Sequence, residues 1–375
     1  MFGTKHYELS LVKDYVSHWG LAEAARELIQ NSLDSNSPFS YSFEPATIYG
    51  DDPKDDDEGQ SGWTLRLKSE HSRLEPRHLL LGSTGKAQDK DAIGSFGEGF
   101  KIALLVLTRL GLPVTILNNE RTWKPRFRFN KQYGAEVLVI EEELGSKATG
   151  LEFIVYGLDD ADRATIERCC LKMQSDIGQI IPTTMGDILV DRPGELYVGS
   201  LFVCQTEMKF GYNVKPEYLK LERDRQTVSS WDLRVLTREM WYQTKRHDEV
   251  AKMIFDEVPD LEYAKYSTPE IIGAACYEIF KKENPGALIA ESHSEMKAMI
   301  ERGLTKTVYV NGSFGAIVSS HPPYRADTSR LVRIKPPHEH MQEWYDKHYR
   351  YEKGVLREHR EAFEALLKKA KEWKA

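Results

Sequence analysis

Three stretches of the 375-residue chain carry side chains whose types and spacing could do chemistry. The first is Glu27-Leu-Ile-Gln-Asn31-Ser-Leu-Asp34. Spacings of four and three put Glu27, Asn31 and Asp34 on one face of a helix. The Asn31 carboxamide oxygen is a hard ligand suited to Mg²⁺. Glu27, one turn back, can polarise a water as general base. The same spacing also suits a plain solvated face. The second stretch is Gly82-Ser-Thr-Gly85-Lys86 followed by Ile93-Gly94-Ser95-Phe96-Gly97-Glu98-Gly99-Phe100-Lys101. Glycines at 94, 97 and 99 leave backbone N–H groups open to close approach by an anion. A helix starting near Phe100 would turn its positive end toward phosphates, with Lys86 and Lys101 as point charges. The glycine spacing is neither the dinucleotide fingerprint nor a Walker A loop. The third is Ala148-Thr149-Gly150 at the start of an apolar run, where a threonine hydroxyl can bond a buried base or simply make a turn.

Those residues need a scaffold, and the pattern of the first 158 residues supplies an α/β one. Leu21–Ser35 is made almost wholly of good helix formers and is stopped by Pro38. Trp63–Lys68 alternates as a half-buried strand. Leu74–Leu81 reads as a short helix with Pro76 in its first turn. Gly82 to Gly99 reads as a loop, and Phe100–Leu110 as a helix. Val114–Asn118, Arg126–Asn130, Glu136–Glu141 and Leu151–Tyr156 read as successive strands. The expected class is α+β, with a two-layer N-terminal α/β sandwich whose mixed sheet carries helices on one face. Residues 159–245 read as a second α/β domain, with helices at Asp162–Gln174 and Trp231–Lys245 and strands at Gly186–Val190 and Leu196–Thr206. Residues 246–375 read as mainly helical. They include one hairpin, Thr307–Val310 with Gly315–Ser319, turning at Asn311-Gly312. His338 to Ala375 reads as a long charged helix broken near Gly354.

Taken together, the three stretches resemble the GHKL ATPase superfamily, which includes gyrase B subunits, the ninety-kilodalton heat-shock chaperone, histidine kinases and MutL. Glu27, Asn31 and Asp34 match its Glu-x-x-x-Asn-x-x-Asp box. Ile93-Gly-Ser-Phe-Gly-Glu-Gly-Phe100 resembles the chaperone's lid box most closely, and the two boxes stand about 60 residues apart, as in the family. The resemblance covers roughly residues 15–158. It implies a Bergerat-type ATP site in which Glu27 activates water and Asn31 ligates Mg²⁺. Asp34, Lys86, Gly94, Phe96, Gly97, Glu98, Gly99, Phe100, Lys101 and Thr149 would then line the nucleotide. One departure stands out. Where the family has Asp-x-Gly-x-Gly, this chain has Lys68-Ser69-Glu70-His71-Ser72-Arg73-Leu74. Glu70 is the replacement carboxylate that could read the adenine amino group, and Ser69 is the position matched by counting.

The resemblance further implies that residues 159–245 act as a transducer-like domain supplying a cation to the γ-phosphate. Arg223 or Arg225 in Leu219-Lys-Leu-Glu-Arg223-Asp-Arg225 is the candidate, in the manner of an arginine finger. Gln205-Thr206-Glu-Met-Lys209 is read as structural. The implied activity is slow Mg²⁺-dependent ATP hydrolysis to ADP and phosphate. Lid closure, domain docking and a homodimer would make it a conformational switch acting on a protein or nucleic-acid client. The alternatives are a nucleotide-gated scaffold with little turnover, suggested by the altered adenine box, and a histidine kinase. The kinase would need a phosphoacceptor His on a helix upstream of Glu27, whereas His338, His340 and His348 lie downstream.

Composition narrows the class without selecting the function. Hydrophobic residues are 41% and charged residues 29%, an ordinary globular balance. Lys and Arg number 51 against 58 Asp and Glu, so the net charge of −7 provides no global field for nucleic acid. Cys169, Cys170, Cys204 and Cys276 form no C-x-x-C pair and read as reduced thiols of a cytoplasmic protein. The longest apolar run, Ile102 to Leu107, is far short of the ~20 residues a membrane span needs. The opening MFGTKHYELS lacks the apolar core of a signal peptide. The final stretch, Lys353–Ala375, is an amphipathic charged helix read as packing on its own chain.

Overall fold

A computed structural model describes residues 4–34, 38–48, 60–80, 98–219, 228–290, 292–301, 303–304, 306–310, 312–329, 337–350 and 354–372. The chain divides into two compact units, residues 1–245 and 246–375. The class is α+β, with largely antiparallel sheets in the first unit and a mainly helical second unit.

The first unit opens with strand β1 (Lys5–Val12) and helix α1 (Leu21–Leu33). Helix α1 begins where Gly20 donates its backbone N–H to Glu23 Oε2 at 2.8 Å, one half of a capping box, on a run of strong helix formers. Strands β2 (Phe39–Ile48) and β3 (Gln60–Ser69) follow, and a 3-10 turn at Pro76–Leu79 ends the described part of that segment. Helix α2 (Gly99–Arg109) is buried at every position from Phe100 to Leu107, because it has the sheet on one side and α1 on the other. Strands β4 (Val114–Asn118), β5 (Arg121–Asn130), β6 (Ala135–Leu144) and β7 (Leu151–Leu158) complete the sheet, and helix α3 (Asp160–Arg168) packs against α1, β3 and β7.

The strand order is β1-β6-β5-β4-β7-β3-β2, and every neighbouring pair is antiparallel. The expectation of a mixed sheet is therefore corrected. The helical crossover through α2 does join two strands of the same direction, β3 and β4. Strand β7 inserts between them and pairs antiparallel with both, so no parallel ladder forms. Leu65, Leu67, Val114, Ile116, Trp123, Leu138, Ile140, Phe153 and Val155 lie on one face and form the core with α1, α2 and α3. The opposite face carries charged pairs such as Arg66 with Glu44 and Glu152, both at 2.9 Å. Ile166, Cys169, Cys170, Met173 and Leu201 join the same core, while Leu171, Leu189 and Tyr197 form a cluster of their own.

Next come β8 (Ile180–Thr183), β9 (Gly186–Leu189), β10 (Glu195–Val198), β11 (Leu201–Gln205) and β12 (Gly211–Val214). They make a five-stranded sheet in the order β11-β10-β12-β9-β8, mixed because β10 and β12 run parallel. Helix α4 (Ser230–Gln243) lies against it, with Trp241 Nε1 donating to Tyr212 Oη at 3.0 Å.

The second unit contains α5 (His247–Phe255), α6 (Glu270–Glu283), β13 (Leu288–Ala290), α7 (His293–Glu301), β14 (Thr307–Tyr309), α8 (Gly312–Ser320), α9 (Pro322–Ser329), α10 (Pro337–His348) and α11 (Arg357–Glu372). The hairpin expected at Asn311-Gly312 is not formed. Thr307–Tyr309 pairs in parallel with Leu288–Ala290 across the α7 crossover, and the residues after Asn311 are helical. Phe314, Gly315, Ile317 and Val318 are buried at helical spacing, a pattern that overrides the turn propensity of Asn-Gly.

Candidate functional site

Helix α1 presents its chemistry near its C-terminal half. Glu27 is 1% exposed, and its Oε1 lies 3.8 Å from Arg26 Nη2. One turn on, half-buried Asn31 donates its Nδ2 to the Glu27 carbonyl at 2.7 Å. That bond fixes the amide orientation and leaves Oδ1, the hard-ligand atom, directed away from the helix backbone. Asp34 is the C-terminal cap, its backbone N–H donating to the Gln30 carbonyl at 2.8 Å.

The end of the sheet brings a second group together. Ser69 pairs with Leu151 at the point where β3 meets β7. It is 3% exposed and shares the face of Leu65 and Leu67, the face covered by helices. Glu70, one residue on, is exposed and sits 3.8 Å from Lys68 Nζ. Of the two adenine-reading candidates, Ser69 is thus on the helix side and Glu70 is in solvent. Gly150 packs against this corner with φ +83°; a Cβ there would come within 2.6 Å of the Ser69 and Glu70 carbonyl oxygens. Only glycine fits such a backbone approach. Thr149 itself is exposed.

Two asparagines hold this corner. Asn118 Nδ2 donates to the Leu74 carbonyl at 2.7 Å, and its Oδ1 accepts from the Leu74 N–H at 3.1 Å. Asn119 Oδ1 accepts from the Gly150 N–H at 3.1 Å. Sequence reasoning missed both, because each acts on a residue at least 31 positions away and leaves no local spacing signal.

At the start of α2, Glu98 is the half-buried cap and Gly99 the first helical residue. Phe100 is 6% exposed with its ring 6.5 Å from Phe153, which makes it a core residue. Lys101 is fully buried. Its Nζ donates to the carbonyls of His78 at 3.0 Å and Leu80 at 2.5 Å, tying α2 to the 3-10 turn. Burial lowers its pKa, opposed by the nearby Glu98 charge. Lys101, expected to serve phosphate, here has its side chain turned onto backbone carbonyls of the preceding segment. His78 Nδ1 accepts from the Glu75 N–H at 3.0 Å. Burial lowers the imidazole pKa, with the Arg77 and Lys101 charges adding to it.

Lys86, Gly94, Phe96 and Gly97 lie outside the described residues, as do Arg223 and Arg225. Among the described residues no three His, Cys, Asp or Glu side chains cluster to hold a metal. Mg²⁺ does not require such a cluster, since it commonly keeps waters and takes one or two protein oxygens plus phosphate. The oriented Asn31 Oδ1 fits that demand.

No family model matches the chain. It is 24% identical over 228 residues to an uncharacterized protein of Mycoplasma pneumoniae, a match covering 58% of this chain and 89% of that relative.

The described chemistry therefore falls in three places within unit 1: the α1 face, the sheet corner at Ser69 and Gly150, and the start of α2. Helix α1 packs on both α2 and β3. No helix among the described residues is long and apolar enough to cross a membrane.

Proposed function

We propose that this chain binds ATP and hydrolyses it slowly with Mg²⁺, using nucleotide-driven closure of the glycine segment as a conformational switch in the cytoplasm. The observation that carries this reading is the pairing on α1 of a buried carboxylate, Glu27, with an oriented carboxamide, Asn31, one turn away. The helix bearing them packs on α2, whose first turn directly follows the glycine-rich segment. In this reading Glu27 takes the proton of the attacking water, and Asn31 Oδ1 contributes one oxygen to the metal. When bound, Mg²⁺ neutralises the β- and γ-phosphate oxygens. Ser69 contacts the base through a water or directly, in place of the family's aspartate. Arg223 or Arg225 stabilises charge on the γ-phosphate, and a second copy of the chain completes the closed state.

Phosphate release by wild type and Glu27→Ala, measured beside ATP binding, tests the proposal. General-base loss costs 10²–10⁴-fold, so the variant should bind ATP about as well as wild type and hydrolyse it at least ~100-fold more slowly. Equal rates in the two proteins would remove Glu27 from the mechanism. A second reading, nucleotide-gated binding with little turnover, is favoured by Ser69 at the strand end and by the Arg26 guanidinium 3.8 Å from the Glu27 carboxylate. Tight ATP binding by wild type with no phosphate release above background would select it.

A further inference from the structure

The β5–β6 hairpin holds a feature that the nucleotide site does not use. Residues 121–135 contain Arg121, Lys124, Arg126, Arg128 and Lys131 and no carboxylate, in a chain whose net charge is −7. Toward the base of the hairpin these cations are compensated: Arg121 by Glu142, Lys124 by Glu143 and Arg126 by Glu141. At the tip they are not. Among the described residues Arg128 and Lys131 have no ion-pair partner, and both are exposed. On the neighbouring strands Glu136 is engaged by Lys13 at 3.0 Å and Glu8 by the Asn130 amide.

The same tip carries two large rings, Phe129 and Tyr133, each 60% exposed, with Phe129 on the face of β5 opposite to Arg128. Their presentation is rigid. Asn130 Oδ1 accepts from the N–H groups of Gln132 at 2.7 Å and Tyr133 at 3.1 Å, and the Asn130 carbonyl accepts from Gly134 at 2.9 Å. Gly134 takes φ +64° to close the turn. The backbone carrying the rings is therefore ordered before any partner arrives, which lowers the entropy cost of binding. The end of β1, where Val12 pairs with Val137, lies at the same end of the sheet and leads to Tyr15, a third exposed ring.

We propose that this hairpin tip binds single-stranded nucleic acid, with Phe129 and Tyr133 stacking on bases and Arg128 and Lys131 meeting phosphates. Exposed rings interleaved with uncompensated cations are the combination that single strands require, because every base has a stackable face once unpaired. A duplex offers phosphates but hides its base faces, so it would use only half of the tip. The Asn130 amide is engaged within the turn and by Glu8, and stacking rings and phosphate-binding cations do not read the sugar. Single strands of either sugar should bind alike. This inference stands apart from the nucleotide site and does not depend on it.

The test uses the full chain and fluorescence anisotropy with labelled oligo-dT, oligo-U and a duplex of equal length at low salt. Both single strands should bind within a few-fold of each other and more tightly than the duplex. Phe129→Leu and Tyr133→Leu should each weaken binding about tenfold, while Phe129→Tyr and Tyr133→Phe retain it. Because both rings are mostly exposed, all four variants should unfold at the wild-type urea midpoint. Arg128→Gln with Lys131→Gln should weaken binding and flatten its salt dependence, since about two phosphate contacts are lost. Absence of binding to oligo-dT and oligo-U overturns the proposal. So does equal binding of the duplex, or leucine variants that bind like wild type, which would reduce the tip to an unspecific polyanion patch.

Discussion

Two carboxylates in the N-terminal sandwich are almost equally hidden, Glu27 at 1% and Glu142 at 2% exposure, yet their surroundings differ in kind. Glu142 lies on β6 among donors aimed at it. Trp123 Nε1 donates at 2.8 Å, Tyr7 Oη at 3.2 Å and Arg121 Nη1 at 3.3 Å. Burial, together with the Glu142 charge, raises the Tyr7 pKa. Glu142 is thus a knot between β1, β5 and β6. Glu27 sits on a helix with the Arg26 guanidinium at a longer 3.8 Å and an oriented amide on the next turn. A buried acid enclosed by short bonds from neighbouring strands is a structural part. A buried acid on a helix face, next to a metal-suited oxygen, is where chemistry can be housed.

The sharpest way to break this comparison is to delete each acid in turn. Glu142→Ala leaves the fully buried Trp123 N–H and two further donors without their acceptor. It should cost about 3 kcal/mol of stability, read as a lower urea midpoint, with any ATP turnover of the folded protein unchanged. A wild-type midpoint in that variant would make the network ornamental. Glu27→Ala should also lose stability, because the buried Arg26 guanidinium is left without that carboxylate, but unlike Glu142→Ala it should lose the turnover of the protein that remains folded.

Asn31→Ala sharpens the functional side. If Oδ1 is a metal ligand, the variant should lose the Mg²⁺-dependent part of ATP affinity, measured by titration with and without the metal, while the fold persists. Mg²⁺-dependent affinity equal to wild type would reject the assignment.

Lys101 bonds to backbone carbonyls, so the same criterion predicts a structural part for it. Lys101→Met keeps the stem and removes the bonds to His78 and Leu80 carbonyls, so about 1–3 kcal/mol of stability should be lost. ATP affinity at a temperature where the variant is folded should match wild type. A selective loss of affinity would return Lys101 to the phosphate site.

A smaller effect is expected from His78, whose folded-state pKa lies below the ordinary 6.5. The unfolded chain then takes up the proton more readily. Stability should fall as pH drops from about 6.5 toward the lowered folded value, and be unaffected by this group above 6.5. Protonation would also spoil the Nδ1 acceptor used by Glu75. Urea midpoints between pH 5 and 7 should be less pH-dependent in His78→Ala; an unchanged slope would assign the acid sensitivity elsewhere. The smallest effect concerns thiols. Burial pushes Cys169 and Cys276 to about 12, while Cys204 is only half-buried. A thiol reagent should label Cys204 first, and mapped labelling of Cys169 at the same rate would contradict the packing of α3.

What was legible in the sequence was local. The run Leu21 to Leu33 had to be a helix because its residues lose little entropy there, and helical geometry alone puts Glu27 and Asn31 one turn apart. Val114–Asn118 and the core of β7 followed from alternation and apolar content. Edge strands β1 and β2 escaped, because half of each faces solvent and polar residues interrupt the pattern. Tertiary contacts decided the rest. Strand β7, placed between β3 and β4, made the large sheet antiparallel throughout. Burial of Phe314, Ile317 and Val318 turned an expected hairpin arm into α8. The fates of Lys101, Ser69 and Glu142 were likewise set by partners between 19 and 135 residues away or by the side of a sheet they occupy. Periodicity records which face a residue occupies, but only the folded chain determines what stands opposite it.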